Sequence, residues 1–206
     1  MVVDQLQKRD ITEPHLLEVM RRVPRHLFLP PGLADVAYDD CPQPIGLGQT
    51  MSQPYIVASM SQHLELHQED NVLEIGTGSA YQTAVLAEMV NTVYTAEIIP
   101  ELFEQSSRLL NSLGYTNVHS RYGDGLLAWA EAAPFNAIIV TAAAPVVPQD
   151  LLDQLADGGR MVIPVNCPET YSQELLLFQK GPTGVIKKHL YPVRFVPLVR
   201  VKRGTI

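Results

Sequence analysis

The chain has 206 residues, 46% of them hydrophobic and 18% charged, which suits one well-packed core and excludes a disordered composition. A formal net charge of −7 argues against a nucleic-acid binder, and the two cysteines, Cys41 and Cys167, form no CxxC pair, which rules out a zinc ribbon and a disulfide framework. No run of 18 apolar residues is present, and the opening MVVDQLQKRDITEPH has no apolar stretch behind a basic start, so neither a spanning helix nor a secretory signal is predicted and a cytoplasmic setting is expected.

In chain order, the first predicted element is a helix capped by Thr12 ahead of Glu13 and Pro14, with Leu16, Met20 and Val23 on one face, stopped by Pro24. Residues 30–54 are rich in Pro and Gly and are expected to be mostly loop; a loop of that length in a compact protein is usually functional. A second helix follows, burying Ile56, Val57, Met60 and Leu64. From residue 71 short apolar runs alternate with helical stretches. The runs are 71–76, 92–98, 117–123, 136–142 and 160–165; the helices are 80–90, 100–113 and 148–156. Unbroken Val/Ile/Leu runs separated by helices predict a parallel sheet covered on both faces. Beyond 165, ELLLFQKG and VIKKHLYPVRFVPLV read as two more strands around a Gly-Pro-Thr-Gly turn. The expected fold is α/β: a Rossmann-like, doubly wound, mostly parallel sheet with an N-terminal helical extension and a C-terminal antiparallel hairpin. It forms a single domain over 1–206, with 1–68 as the helical and loop region and 69–206 as the core.

Charge is unevenly spread. Lys180, Lys187, Lys188, Arg194, Arg200, Lys202 and Arg203 place seven positive charges in the last 27 residues with no acidic residue among them, leaving −14 on the rest. This is either a sheet edge guarded by cations or a rim that attracts an anionic substrate.

The ends of the strands carry the chemistry. Ligands of open parallel sheets bind beyond the carboxyl ends of the strands. The first run ends in Gly76-Thr77-Gly78-Ser79-Ala80, a glycine turn leading into a helix. Glu97 closes the second run, 19 residues after Gly78, where a carboxylate can accept ribose hydroxyls. Asp124 and Gly125 follow the third run, and Asp124 could accept an adenine amine. A dinucleotide fingerprint needs a glycine at the sixth position, which is Tyr81 here, so NAD is disfavoured and S-adenosylmethionine, with no phosphate to cradle, fits better.

The segments VPRHLFLP, GQTMSQP, VLEIGTGSAYQTAVLA, YGDG, APFNAIIVTAAA, GGRMVIPV and RFVPLV, in this order, resemble the protein-L-isoaspartate O-methyltransferase family. GQTMSQP is the most specific of them. The resemblance implies S-adenosylmethionine as methyl donor and isoaspartyl residues of damaged proteins and peptides as substrate, with neither nucleic acid nor membrane as partner; a monomer is the expected state. It places Gln49, Thr50, Met51, Ser52, Gly76 to Ala80, Glu97, Asp124 and Gly125 at the cofactor. It makes Ser52 catalytic, and Arg194, Val196, Pro197 and Leu198 substrate contacts. Two departures stand out. Ala80 occupies a usual Gly position, which costs roughly 1 kcal/mol if the backbone there has positive φ, and Asn136 replaces a usual Asp. Ser52 also has an ordinary reading, the N-cap of the helix that begins near Pro54. His26, His63 and His67 have no ligand spacing, no metal is expected, and Trp129 reads as packing. The competing functions are a class I methyltransferase of a small molecule and a non-catalytic binding protein.

Overall fold

The computed structural model describes residues 1–127, 129–168 and 171–200. A short π-helical turn, Val2–Gln7, leads to α1, Pro14–Arg22. The cap of α1 is Glu13, whose carboxylate accepts the N–H groups of His15, at 3.0 Å, and Leu16. The predicted cap, Thr12, lies one residue too early. Proline at the first helical position leaves the residue before it in extended backbone, and that residue is Glu13. A 3-10 turn, Arg25–Phe28, precedes the stretch expected to be loop, which contains a second 3-10 turn, Pro31–Val36, and a small antiparallel hairpin, β1 (Gln43–Gly46) with β2 (Gln49–Met51). Leu47 and Gly48, with φ of 53° and 73°, make its tight turn. Helix α2, Pro54–His63, follows directly.

The main sheet has seven strands: β3 (Asn71–Ile75), β4 (Thr92–Glu97), β5 (Val118–Tyr122), β6 (Phe135–Val140), β7 (Leu155–Cys167), β8 (Ser172–Gly181) and β9 (Gly184–Val193). Their order is β5-β4-β3-β6-β7-β8-β9, parallel as far as β7 and antiparallel beyond it. Helices α3 (Tyr81–Ala87), α4 (Pro100–Ser112) and α5 (Gln149–Asp153) connect the parallel strands. Helix α5 is shorter than the predicted 148–156, and β7 starts five residues before the predicted 160. Asp157-Gly158-Gly159, left between the predicted helix and strand, runs inside the strand. Gly158 has φ +81°, and a Cβ on Gly159 would meet the Asn136 carbonyl at 2.9 Å.

Alternation explains why these strands read as unbroken apolar runs. Ala137 and Ile139 face one core with α1, α2 and α3, whereas Ile138 and Val140 face the other. The first core extends to Leu6 and Leu16, so the N-terminal region packs on the same sheet. Asn136 Oδ1 accepts the Asn71 N–H at 2.9 Å, tying β6 to β3, a task that needs only a side-chain oxygen.

Candidate active site

The strand order reverses between β3 and β6, and a cavity opens at their carboxyl ends, with about 910 Å³ of free space counting its mouth. Its walls include the β1–β2 hairpin with Ser52, the glycine turn after β3, the end of β4 with the start of α4, the turns after β5 and β6, and the segment 196–199. Of the residues picked out from sequence, Gln49, Thr50, Met51, Ser52, Gly76, Thr77, Gly78, Ser79, Glu97, Gly125, Val196, Pro197 and Leu198 line it. Ala80 does not: it is fully buried behind the turn. Asp124 sits between two lining residues, Gly123 and Gly125. Its carboxylate accepts the Leu126 N–H at 3.1 Å and lies 3.6 Å from Arg200 Nε.

The glycine turn is held by its neighbours. Gly76 has φ +96°, and a Cβ on it would meet Thr141 Oγ1 at 2.4 Å. Gly125 is confined in the same way by Ile75 Cγ2 at 2.4 Å. Ala80 has φ +69°, so the left-handed cost is present, and the residue offers α3 no side-chain cap.

Glu97 is 5% exposed. Its Oε2 accepts the Gly78 N–H at 2.8 Å, and its Oε1 accepts those of Ile98 and Ile99, each at 2.9 Å. The carboxylate therefore clamps the glycine turn to the end of β4 while facing the cavity. Beside it, Ile98, Ile99 and Leu102 give an apolar wall suited to a flat base. Among the described lining residues there is no Lys or Arg to neutralise a pyrophosphate. A nucleoside with a neutral or cationic extension fits these walls better than a dinucleotide does.

Beneath the floor lies an acid that the sequence reading did not single out. Glu74 is fully buried in mid-β3. Thr83 and Thr95 donate to its Oε2, at 2.5 and 2.7 Å, and Thr77 lies 2.6 Å from Thr95. Thr95 has a single proton, spent on Glu74, so Thr77 donates to Thr95 and its hydroxyl is oriented from below. Burial pushes the Glu74 carboxyl up to about 8. Nothing local distinguishes this Glu from a solvated one; only its place inside an apolar run does.

Ser52 is not a cap. The N-cap of α2 is Gln53, and no side chain caps that helix. Ser52 is half-buried and bridges the inner cavity and an outer cleft lined by Tyr55, Tyr191, Arg194 and Phe195. Thr50, Thr141 and Val196 also belong to both spaces. Thr141, missed from sequence, has its one hydroxyl proton within reach of two carbonyls, Gly76 at 2.6 Å and Ile75 at 2.9 Å. The segment after β9 forms a roof: Ala143 N–H donates to the Val196 carbonyl, and Leu198 N–H to the Ala143 carbonyl, both at 2.8 Å.

The basic tail is dispersed. Lys180 donates to the Leu155 carbonyl at 2.6 Å, Arg200 faces Asp124, Lys187 and Lys188 are exposed on β9, and Arg194 lines the outer cleft. Lys202 and Arg203 lie outside the described residues. Trp129 packs on Tyr94, donates to the Thr95 carbonyl at 3.0 Å and does not line the cavity.

A sheet of this order, with a glycine turn and an acidic strand end around a phosphate-free nucleoside cavity, defines a Rossmann-like methyltransferase. Comparison with known proteins narrows the class. The family model for protein-L-isoaspartate(D-aspartate) O-methyltransferase matches residues 1–203, and the chain belongs to that family. It is 53% identical over 204 residues to the protein-L-isoaspartate O-methyltransferase of Synechococcus sp. (strain JA-2-3B'a(2-13)), covering 97% of this chain and 84% of that one. It is 49% identical over 202 residues to that of Gloeobacter violaceus, covering 98% of each. A solved Plasmodium falciparum structure described as a protein-L-isoaspartate O-methyltransferase, in complex with S-adenosyl-L-homocysteine, superimposes with TM-score 0.84 at 26% identity, covering 97% of both chains.

Proposed function

We propose that the protein transfers a methyl group from S-adenosylmethionine to the free α-carboxylate of L-isoaspartyl residues in damaged proteins and peptides. The observation that carries this reading is the position of Ser52, which lines both the inner cavity and an adjoining outer groove accessible to a peptide. An enclosed small-molecule site would not need that outer cleft.

The donor supplies an electrophilic methyl on a sulfonium. The acceptor carboxylate, with a pKa of about 3.5, is ionised at neutral pH, so no general base is required. The protein's work is alignment and exclusion of water, worth roughly 7–11 kcal/mol when two reactants are held in line. The Ser52 hydroxyl has no hydrogen-bond partner among the described residues and is available to donate to the incoming carboxylate as its water is stripped. Gly76 to Ser79 and Glu97 hold the nucleoside, with Ala80 supporting the turn from behind. Gln49, Thr50 and Met51 close the cavity from the hairpin, and Gly125 and Asp124 bound its far end. Arg194 and Val196, on the outer cleft, receive the peptide, while Pro197 and Leu198 cover the inner cavity at its junction with that cleft. Residues 1–68 and 69–206 work as one domain, in a cytoplasmic monomer that binds no nucleic acid. Among the described residues no helix is long and apolar enough to cross a membrane.

The test measures methyl incorporation from labelled S-adenosylmethionine into a peptide carrying one L-isoaspartyl residue and into its normal aspartyl twin. The isoaspartyl peptide alone should be labelled. In Ser52→Ala, kcat should fall by the roughly 3–4 kcal/mol lost with one preorganised donor, on the order of a hundredfold or more. Equal labelling of both peptides, or none, would overturn the reading.

A further inference from the structure

Arg25 is an arginine with no surface: it is 0% exposed, in the 3-10 turn after α1. A buried guanidinium normally sits against a carboxylate, because an uncompensated buried charge is costly. Arg25 has no ion-pair partner among the described residues. Asp40, a carboxylate that acts on Arg25 electrostatically, is committed to Arg9 at 3.0 Å and to the Tyr55 N–H at 3.2 Å. Arg25 instead donates to two backbone carbonyls at 2.7 Å each, from Nε to Ala37 and from Nη2 to Ser52. Its guanidinium lies 4.6 Å from the ring centroid of Tyr81, the first residue of the helix after the glycine turn. Nη1 is buried without a partner. Burial pulls its pKa below the ordinary arginine value, yet a guanidinium keeps its proton at neutral pH.

A residue that served only to pack this region would be apolar, since the space holds no counter-charge. What the guanidinium does is join three pieces that meet at the reaction centre: the turn leading into the hairpin, the backbone of Ser52 and the start of α3. The planar fork makes this possible, because two donors leave in fixed directions while the flat face rests on an aromatic ring. The charge lies behind the Ser52 peptide, and it is Ser52, not Arg25, that lines both the inner cavity and the outer cleft. We propose that Arg25 is a positioning residue for methyl transfer: it fixes the Ser52 peptide, and with it the Ser52 hydroxyl, and its unpaired charge favours an anionic acceptor at that wall. This rests on the Ser52 reading above.

The test is a double-mutant cycle of Arg25→Met and Ser52→Ala, following kcat and KM for the isoaspartyl peptide and the affinity for S-adenosylhomocysteine. Arg25→Met should lower kcat on the order of thirtyfold and raise peptide KM severalfold, with S-adenosylhomocysteine affinity changed less than about threefold. In the Ser52→Ala background the same substitution should lower kcat by no more than about threefold, since the hydroxyl it positions is already gone. Equal kcat losses in both backgrounds, or a parallel loss of S-adenosylhomocysteine binding, would show a purely structural role and overturn the proposal while leaving Ser52 catalytic. A Ser52→Ala enzyme as fast as wild type would instead sink the Ser52 reading itself. Should Arg25→Met not fold, Arg25→Lys enters the same cycle. It keeps the charge but cannot serve both carbonyls, so it should lower kcat with the same dependence on Ser52 and leave KM near wild type. A Lys variant with wild-type kcat, or with equal losses in both backgrounds, refutes the proposal.

Discussion

Removing the Glu97 carboxylate should weaken the cavity in two ways that one sample can report. A carboxylate offers roughly four acceptor sites, and three backbone N–H groups, of Gly78, Ile98 and Ile99, already use it. About one site remains for a ligand hydroxyl, and a charge-assisted bond there is worth about 1.5–3 kcal/mol. Glu97→Ala should therefore bind S-adenosylhomocysteine on the order of ten to a hundredfold more weakly. The carboxylate is 5% exposed, so the donors it leaves behind are poorly placed to find water. At about 1–3 kcal/mol for buried groups left unpaired, and about 2–4 °C per kcal/mol for a chain of this size, Tm should drop by roughly 2–12 °C. Calorimetric titration and a melt of the same preparation measure both. Glu97→Gln should behave almost as badly: one carbonyl oxygen can serve Gly78 or the Ile98–Ile99 pair, and its amide then points N–H at N–H on the other side. Affinity within twofold of wild type together with an unchanged Tm would refute both roles assigned to this side chain.

Gly76→Ala should lower Tm by several degrees, because it combines a φ of +96° with a Cβ 2.4 Å from Thr141 Oγ1; a wild-type melt would mean the turn shifts freely. The Glu74 carboxyl, raised to about 8 by burial, holds its proton in the folded state at pH values where the unfolded chain has lost it. Stability should therefore fall as pH rises from about 5 to about 8, and Glu74→Gln, which has no proton to lose, should gain on wild type across that window. Parallel Tm–pH curves would show that this acid titrates normally. Neutralising Lys187, Lys188 and Arg194 together should raise peptide KM severalfold at low salt and flatten its salt dependence, leaving S-adenosylhomocysteine affinity unchanged; an unchanged KM would return these residues to guarding the sheet edge.

The parallel core was readable because burial on both faces leaves a strand no polar side, and a run such as Ala137–Val140 has no other use in a small protein. The glycine turn and Glu97 followed from position alone. The β1–β2 hairpin was hidden, since strands of four and three residues with Pro44 inside one of them show no alternation. Cap placement at α1 turned on one residue because Thr12 and Glu13 are both competent acceptors, and only Pro14 decides between them. Arg25, and Glu74 but for its place in an apolar run, escaped the sequence reading for a deeper reason. Charge in a sequence is read as surface, and what buries these two is the meeting of segments remote along the chain.

The segment that roofs the cavity is fastened differently from the strands beside it. Val196 and Leu198 each make one backbone hydrogen bond to Ala143, and the Gln173 side chain imitates a strand partner by pairing with both the N–H and the carbonyl of Phe195. Next to it, β8 and β9 are zipped along almost their whole lengths. The work of detaching the roof is therefore a small fraction of the work of opening the sheet. In hydrogen-exchange terms, the Ala143 and Leu198 amides belong to a local opening reaction, and those of mid-β7 to global unfolding. Ligands can thus come and go at equilibrium through brief departures of one short segment, while the walls that hold the reactants in line stay rigid.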